Sequence, residues 1–375
     1  MTKQHEQARS WLKEDWRRVD DALAGQTARF RGKQILLTGA AGFLGFNFLH
    51  YFSHLNGDGS GFPPVSVVAA DNYIRGRPTW MVGLAETDPN ITLSRRDITQ
   101  PWPETTFDFD FIIHAASIAS PTFYRKYPLQ TVDANVLGIR HMLELGRDHK
   151  VESILYFSSS EIYGDPPQDQ IPTNENYRGN VACVGPRACY DESKRLGETL
   201  CYLYSRHFNV PVKIVRPFNN YGPGLRLNDG RVLSDLCRDV LSGRDVVLKS
   251  DGFASRTFCY ASDALTGYLL MLLSPYNGQP LNIGADAPEI SMRDLAGLVL
   301  KVAGSDRNVV FEASHETDYL TDNPQRRCPD ISQARCLLGF KPQVGLERGL
   351  LRMLEWYRQF VALENLSECD VPEAS

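Results

Sequence analysis

Tyr190 and Lys194 stand four residues apart in the segment Gly185-Pro186-Arg187-Ala188-Cys189-Tyr190-Asp191-Glu192-Ser193-Lys194, and Ser158-Ser159-Ser160-Glu161 closes an apolar run earlier in the chain. On a helix, positions i and i+4 share a face, so the Lys194 ammonium can approach the Tyr190 phenol and favour its phenolate. A phenol that titrates near pH ~10 in water then becomes a base usable near neutrality. Ser159, opposite it, would hydrogen-bond the same substrate oxygen. This is chemistry for redox at a sugar hydroxyl. Alone the pair is a weak signal, because a solvated helix face with one aromatic in the core satisfies the same spacing.

Such a base needs a hydride acceptor held beside it. The run Lys33-Gln34-Ile35-Leu36-Leu37-Thr38-Gly39-Ala40-Ala41-Gly42-Phe43-Leu44-Gly45 predicts a short strand entering a G-x-x-G-x-x-G turn and then a helix. Gly39 permits the turn, Gly42 lets the backbone approach a pyrophosphate, and Gly45 lets the helix lie close to the strand. Asp71 ends the next apolar run, Val65 to Ala70, where a carboxylate accepts hydrogen bonds from ribose hydroxyls and repels a 2′-phosphate. NAD is therefore expected over NADP, although Arg75 and Arg77 lie just beyond and could meet a phosphate. The polar stretch Asn56 to Pro64 reads as an inserted loop that lengthens the usual spacing to this acid.

Composition agrees with an enzyme. The chain has 375 residues, 42% hydrophobic and 23% charged, enough for a full core, and its net charge of −5 gives no electrostatic case for nucleic acid. No run approaches a membrane span and the N-terminus lacks a signal-like apolar core, so a soluble, cytoplasmic protein is expected. The cysteines (Cys183, Cys189, Cys201, Cys237, Cys259, Cys328, Cys336, Cys369) show no CxxC and no histidine at ligand spacing. They read as reduced thiols, with no metal site.

From residue 33 to about 216, apolar runs such as Phe111-Ile112-Ile113-His114-Ala115, Ile154-Leu155-Tyr156-Phe157 and Val212-Lys213-Ile214-Val215 alternate with helical patterns. Alternation of this kind builds βαβ units. The expected fold is α/β: a Rossmann-type doubly wound parallel sheet with a smaller, mostly C-terminal α/β substrate lobe. The expected organisation is a helical extension over 1–30, the NAD-binding domain over 31–216 with later sequence returning to it, a nucleotide-sugar lobe over 217–362, and a polar tail over 363–375. Leu12, Trp16, Val19 and Leu23 form a stripe that wants a partner surface, either its own domain or a second subunit.

Several longer motifs then carry a family resemblance: Ser160-Glu161-Ile162-Tyr163-Gly164-Asp165-Pro166, Gly185 to Lys194 with Arg195, Asn228-Asp229-Gly230-Arg231-Val232, Ser255-Arg256-Thr257-Phe258 and Pro329-Asp330-Ile331. From Gly32 to about Phe360 the chain resembles the extended short-chain dehydrogenase/reductase (NAD-dependent epimerase/dehydratase) family, most of all its UDP-glucuronate decarboxylases. The resemblance implies NAD held tightly and recycled, a nucleoside diphosphate sugar as substrate, and a homodimer. It implies that Tyr190 takes the C4 hydroxyl proton, that the 4-keto sugar loses its C5 carboxylate as CO₂, and that hydride then returns. Catalytic roles fall on Ser159, Ser160, Glu161, Tyr190 and Lys194, with Glu161 orienting the carboxylate or relaying the C5 proton. Cofactor contacts fall on Gly39, Gly42, Phe43, Leu44, Gly45, Asp71, Asn72, Asp97 and Ile98 besides Tyr190 and Lys194, and substrate contacts on Ser120, Arg125, Asn219, Arg231, Arg256, Tyr260 and Arg326. The bulky stretch Ser117 to Arg125, and Asn220 and Gly224, depart from that pattern at the sugar. They leave a 4-epimerase as the main alternative, a 4,6-dehydratase behind it because Ser160 stands where an acid is needed, and an NAD-sensing regulator as the non-enzymatic one.

Overall fold

Strand β1 (Gln34–Thr38) is apolar on both faces, and Ile35, Leu36 and Leu37 are fully buried, which is what a central parallel strand covered by helices requires. The computed structural model describes residues 3–360 apart from 58, 60, 104–107 and 313–320. The expected tail from 363 lies outside the described residues. Around β1 run β2 (Ser66–Asp71), β3 (Ile91–Arg95), β4 (Phe111–His114), β5 (Ser153–Phe157), β6 (Val212–Pro217) and β7 (Pro280–Ile283). Their spatial order is β7-β6-β5-β4-β1-β2-β3 and every pairing is parallel. The order reverses between β1 and β4, and the carboxyl ends on either side of that point form the crevice where such sheets bind ligands.

The helices are α1 (Lys3–Leu23), α2 (Phe43–Asn56), α3 (Thr79–Thr87), α4 (Pro121–Lys126), α5 (Pro128–Asp148), α6 (Ala188–Phe208), α7 (Val232–Leu241), α8 (Ala261–Leu272), α9 (Met292–Ala303), α10 (Ser332–Leu338) and α11 (Leu346–Phe360). Helices α7, α9 and α11 close a second core around Leu233, Leu236, Leu295, Val299 and Leu354, and short two-residue pairings such as Ser255–Arg256 with Arg326–Arg327 tie that lobe together. Strand β7 returns from this later sequence to the main sheet. No helix among the described residues is long and apolar enough to cross a membrane.

The N-terminal stripe docks on its own chain. Trp16, Val19 and Leu23 are buried in the main core, and every residue of α8 is buried because α1 covers the face that the sheet leaves open. Asp15 fixes the register: it accepts from Tyr260 Oη at 2.8 Å and pairs with Arg352 of α11. Burial raises the Asp15 carboxyl to about 6 against the pull of Arg352. Because α1 fills a groove of the same molecule, Trp16→Ala is expected to lower stability by about 3–5 kcal/mol, measured by urea unfolding, with a loss that does not change with protein concentration.

Candidate active site

The turn after β1 admits no side chain. A Cβ on Gly39, at φ +72°, would lie 2.6 Å from the backbone N of Ala116, and one on Gly45 would lie 2.2 Å from the carbonyl oxygen of Ala40. The two glycines thus bring the start of α2 against the strand ends and leave Phe43 and Leu44, at its first turn, lining a cleft of about 610 Å³. Asp71 ties the turn to β2, accepting from Ala41 N at 3.0 Å and from Tyr73 N at 2.7 Å. Asn72, Asp97 and Ile98 line the same wall. A helix N-terminus, a glycine cradle and an acid at the second strand end suit a dinucleotide diphosphate and its ribose. Neither nearby arginine waits for a 2′-phosphate: Arg75 pairs with Asp229 at 2.6 Å and Arg77 lies over the Tyr73 ring.

Across the cleft, α6 presents Tyr190 and Lys194 from one face, both buried. Lys194 Nζ donates to the Phe157 carbonyl at 2.7 Å and sits 5.8 Å from the Tyr190 ring centroid. The expected phenolate is not what this arrangement favours. Burial raises the Tyr190 phenol to about 12, opposed mainly by its hydrogen bond with Ser159, and burial also lowers Lys194 to about 7. Both groups share one poorly solvated wall, so burial opposes the charged form of each.

A partly buried ion pair sets the serine loop against α6. Glu198, one turn beyond Lys194, accepts from Ser158 Oγ at 2.5 Å and from Arg216 of β6 at 2.8 and 2.6 Å. Arg216 reaches on to Tyr163 Oη, which donates to Asn282 of β7. Ser159 then caps the short turn Ser160–Tyr163 by accepting from Glu161 N at 3.2 Å.

Glu161 is caged by two arginines absent from the predicted set. Arg187 and Arg327 both donate to its carboxylate, Arg327 Nη2 at 2.6 Å from Oε2. Burial alone would raise its pKa; Arg187 and then Arg327 overcome this and hold it at about 2. A carboxyl so acidic has no proton to relay near neutrality, which corrects that part of the expectation. Burial and the Glu161 charge lift the adjacent Asp191 to about 7. Tyr124 is a further unpredicted member: its ring stacks on Tyr190 at 5.2 Å and 14°, and its buried hydroxyl has no hydrogen-bond partner among the described residues.

The predicted substrate residues divide. Arg125, Asn219, Arg231 and Arg256 line the cleft with Ser120, but several carry structural bonds. Ser120 Oγ donates to the Asp229 carbonyl at 2.5 Å, Asn219 Nδ2 to the Thr257 carbonyl at 2.9 Å, and Arg256 to the carbonyls of Ser255, Gln325 and Pro324. Tyr260 and Arg326 stand apart from the cleft: Tyr260 is bound to Asp15 in the core, and Arg326 pairs with Glu289 on the outer face. Arg187 sits inside the longest predicted motif, whereas Arg327 carried no signal beyond one half of an isolated basic pair.

Comparison with known proteins places this cleft. A family model described as the NAD dependent epimerase/dehydratase family matches residues 35–284. The chain belongs to this family. Its curated relatives include UDP-glucuronic acid decarboxylase 1 of Xenopus tropicalis, 36% identical over 331 residues (87% of this chain, 72% of that protein). UDP-glucuronic acid decarboxylase 6 of Arabidopsis thaliana is 36% identical over 329 residues, 87% of this chain and 89% of that protein. Among solved structures of the family, UDP-glucuronic acid 4-epimerase from Bacillus cereus, in complex with UDP-glucuronic acid and NAD, superposes with a TM-score of 0.70 at 26% identity, covering 87% of this chain and 99% of that one. The dTDP-glucose 4,6-dehydratase of Streptomyces venezuelae shares the fold at 0.74 and 23% identity, over 88% and 98%. NAD is the family's cofactor, and the glycine cradle and Asp71 fit it.

Removing the Glu161 charge leaves Arg327 buried without that counter-ion and Arg187 with only the looser approach of Asp191, at 3.6 Å. Glu161→Gln is expected to cost about 3 kcal/mol in urea unfolding at pH 7. The carboxyl's folded pKa lies below its ordinary value of 4.5, so its contribution is complete above that value and the gap between the two proteins narrows as pH falls toward about 2.

Proposed function

We propose that the protein converts a nucleoside diphosphate glucuronate to the corresponding nucleoside diphosphate pentose by decarboxylation through a 4-keto sugar. The observation that carries the reading is the guanidinium cluster beyond Tyr190: Arg187, Arg256 and Arg327 gather around Glu161, with Asp191 3.6 Å from Arg187, so three guanidinium groups face two carboxyl groups and leave that end of the cleft positive. A sugar bearing a carboxylate is the ligand such an end attracts, since arginine forks suit carboxylate oxygens. The decarboxylase relatives support the same reading.

Bound NAD would accept the C4 hydride and later return it. In its phenolate form, which burial opposes and the Ser159 hydrogen bond favours, Tyr190 takes the C4 hydroxyl proton, with Ser159 within reach of the same oxygen. Once C4 is a ketone, the C5 carboxylate is β to it; the bond between C5 and the carboxyl carbon breaks, CO₂ departs, and the electron pair moves to the oxygen at C4. Tyr190 and Ser159 stabilise that enolate oxygen by donated hydrogen bonds. A proton then adds at C5 and C4 becomes a hydroxyl again, so nothing is oxidised overall. Glu161 holds Arg187 and Arg327 for the carboxylate and gives up no proton. Ser160, buried beside it, is not acidic, which disfavours loss of water.

A homodimer through α5 and α6 fits the exposure of Leu137, Leu196, Tyr202 and Leu203 on these neighbouring helices.

The expected product of UDP-glucuronate lacks the mass of one CO₂ and, made in heavy water, carries one deuterium at C5; a product of unchanged mass indicates epimerisation and overturns the reading. Tyr190→Phe keeps the ring stacked on Tyr124, so folding persists while single-turnover oxidation at C4 drops by ~10² to 10⁴.

A further inference from the structure

The loop from Gly222 to Arg231 crosses from the sugar lobe to the cofactor side and is fastened there. Arg226 donates to the carbonyls of Arg75 and Gly76, and Ser120 holds the Asp229 carbonyl. Gly230, at φ +75°, lies so close to Thr122 that a Cβ would meet its Oγ1 at 2.6 Å. The fastening carries one shared charge. Asp229, whose side chain is 6% exposed, accepts from Arg75 Nη1 at 2.6 Å through Oδ1, and Arg231 Nε lies 2.9 Å from its Oδ2 without hydrogen-bond alignment. Arg75 is in turn seated on the Phe123 ring, 4.1 Å from its centroid.

Two guanidinium groups and one carboxylate leave one net positive charge. We propose that Arg75, which comes from the cofactor half and is turned to Asp229, is a positioning residue for Arg231: it neutralises Asp229 so that the Arg231 charge is available to the substrate's diphosphate. Without Arg75, Asp229 and Arg231 compensate each other, and the diphosphate meets a neutral pair that must be separated before Arg231 can turn to it. The directional bond of Asp229 goes to Arg75, whereas Arg231 is held only by proximity, so Arg231 is the partner able to change allegiance. The seat on Phe123 holds the Arg75 guanidinium in place while it does so. The inference rests on the nucleotide-sugar reading above.

The test is calorimetric titration of the NAD-loaded, full-length protein with uridine diphosphate. Arg231→Gln should weaken binding about tenfold or more, the scale of one charge-assisted contact; an unchanged affinity there removes both the reading and the inference. Arg75→Gln should weaken binding to a similar degree with the thermal transition and NAD content retained, and Arg75→Lys should recover most of the loss. The deciding variant is Arg75→Gln with Asp229→Asn. Deleting the carboxylate that Arg75 neutralises should restore affinity to within roughly threefold of the parent protein, although the link between loop and cofactor side is now weaker still. A double variant that binds as poorly as Arg75→Gln, or an Arg75→Gln protein with full affinity, overturns the proposal while leaving the nucleotide-sugar reading intact.

Discussion

The bidentate pair between Arg216 and Glu198 is the constraint on which the catalytic geometry depends. It joins three elements distant in sequence: β6 supplies the arginine, α6 the carboxylate, and the end of β5 the Ser158 hydroxyl that the same carboxylate accepts. Lys194 lies one helical turn before Glu198 and Tyr190 one turn before that, while Ser159 follows Ser158. The position of the phenol relative to the serine is therefore set by an ion pair that never touches substrate. Arg216 is buried and Glu198 partly so, which makes the pair expensive to form, and its value is that this one carboxylate satisfies donors from β5 and β6 together.

Around this frame the cleft sorts its charges by environment. Where a group is buried without a strong partner, the neutral form wins: the Tyr190 phenol, the Lys194 amine and the His114 imidazole all shift that way, His114 to about 3. Where arginines surround a carboxylate, as at Glu161, the charged form wins in spite of burial. One end of the cleft thus keeps protons ready to move and the other keeps fixed charge, a division suited to proton transfer at C4 and carboxylate recognition beyond it.

Features that repeat within one or two turns were legible in the sequence. The glycine turn, Asp71, the helix face of Tyr190 and Lys194, and Ser159 all follow from strand and helix periods. The guanidinium cage was not, because Arg327 and Glu161 are 166 positions apart and meet only through the pairing of two-residue strands. The choice of Arg326 over its neighbour shows why: successive residues of a strand face opposite sides, so a one-residue step turns a partner of Glu161 into an outer-face partner of Glu289. Tyr260 failed for a related reason, facing the core where α1 had no visible partner in sequence. The desolvation of Tyr190 and Lys194 was equally hidden, since spacing gives proximity but not burial.

The docking of α1 bears on the order in which the molecule can be completed. Its Asp15 bonds Arg352, 337 positions later, and its apolar stripe covers α8, which follows most of the main sheet. Helix α1, made before α8 and α11, is thus seated only after both exist. During synthesis the Trp16, Val19 and Leu23 face must stay uncovered until α8 exists, and its register with α11 is fixed only once Arg352 has been made, so the vulnerable moment in this protein's assembly lies in the wait of α1 for its partners.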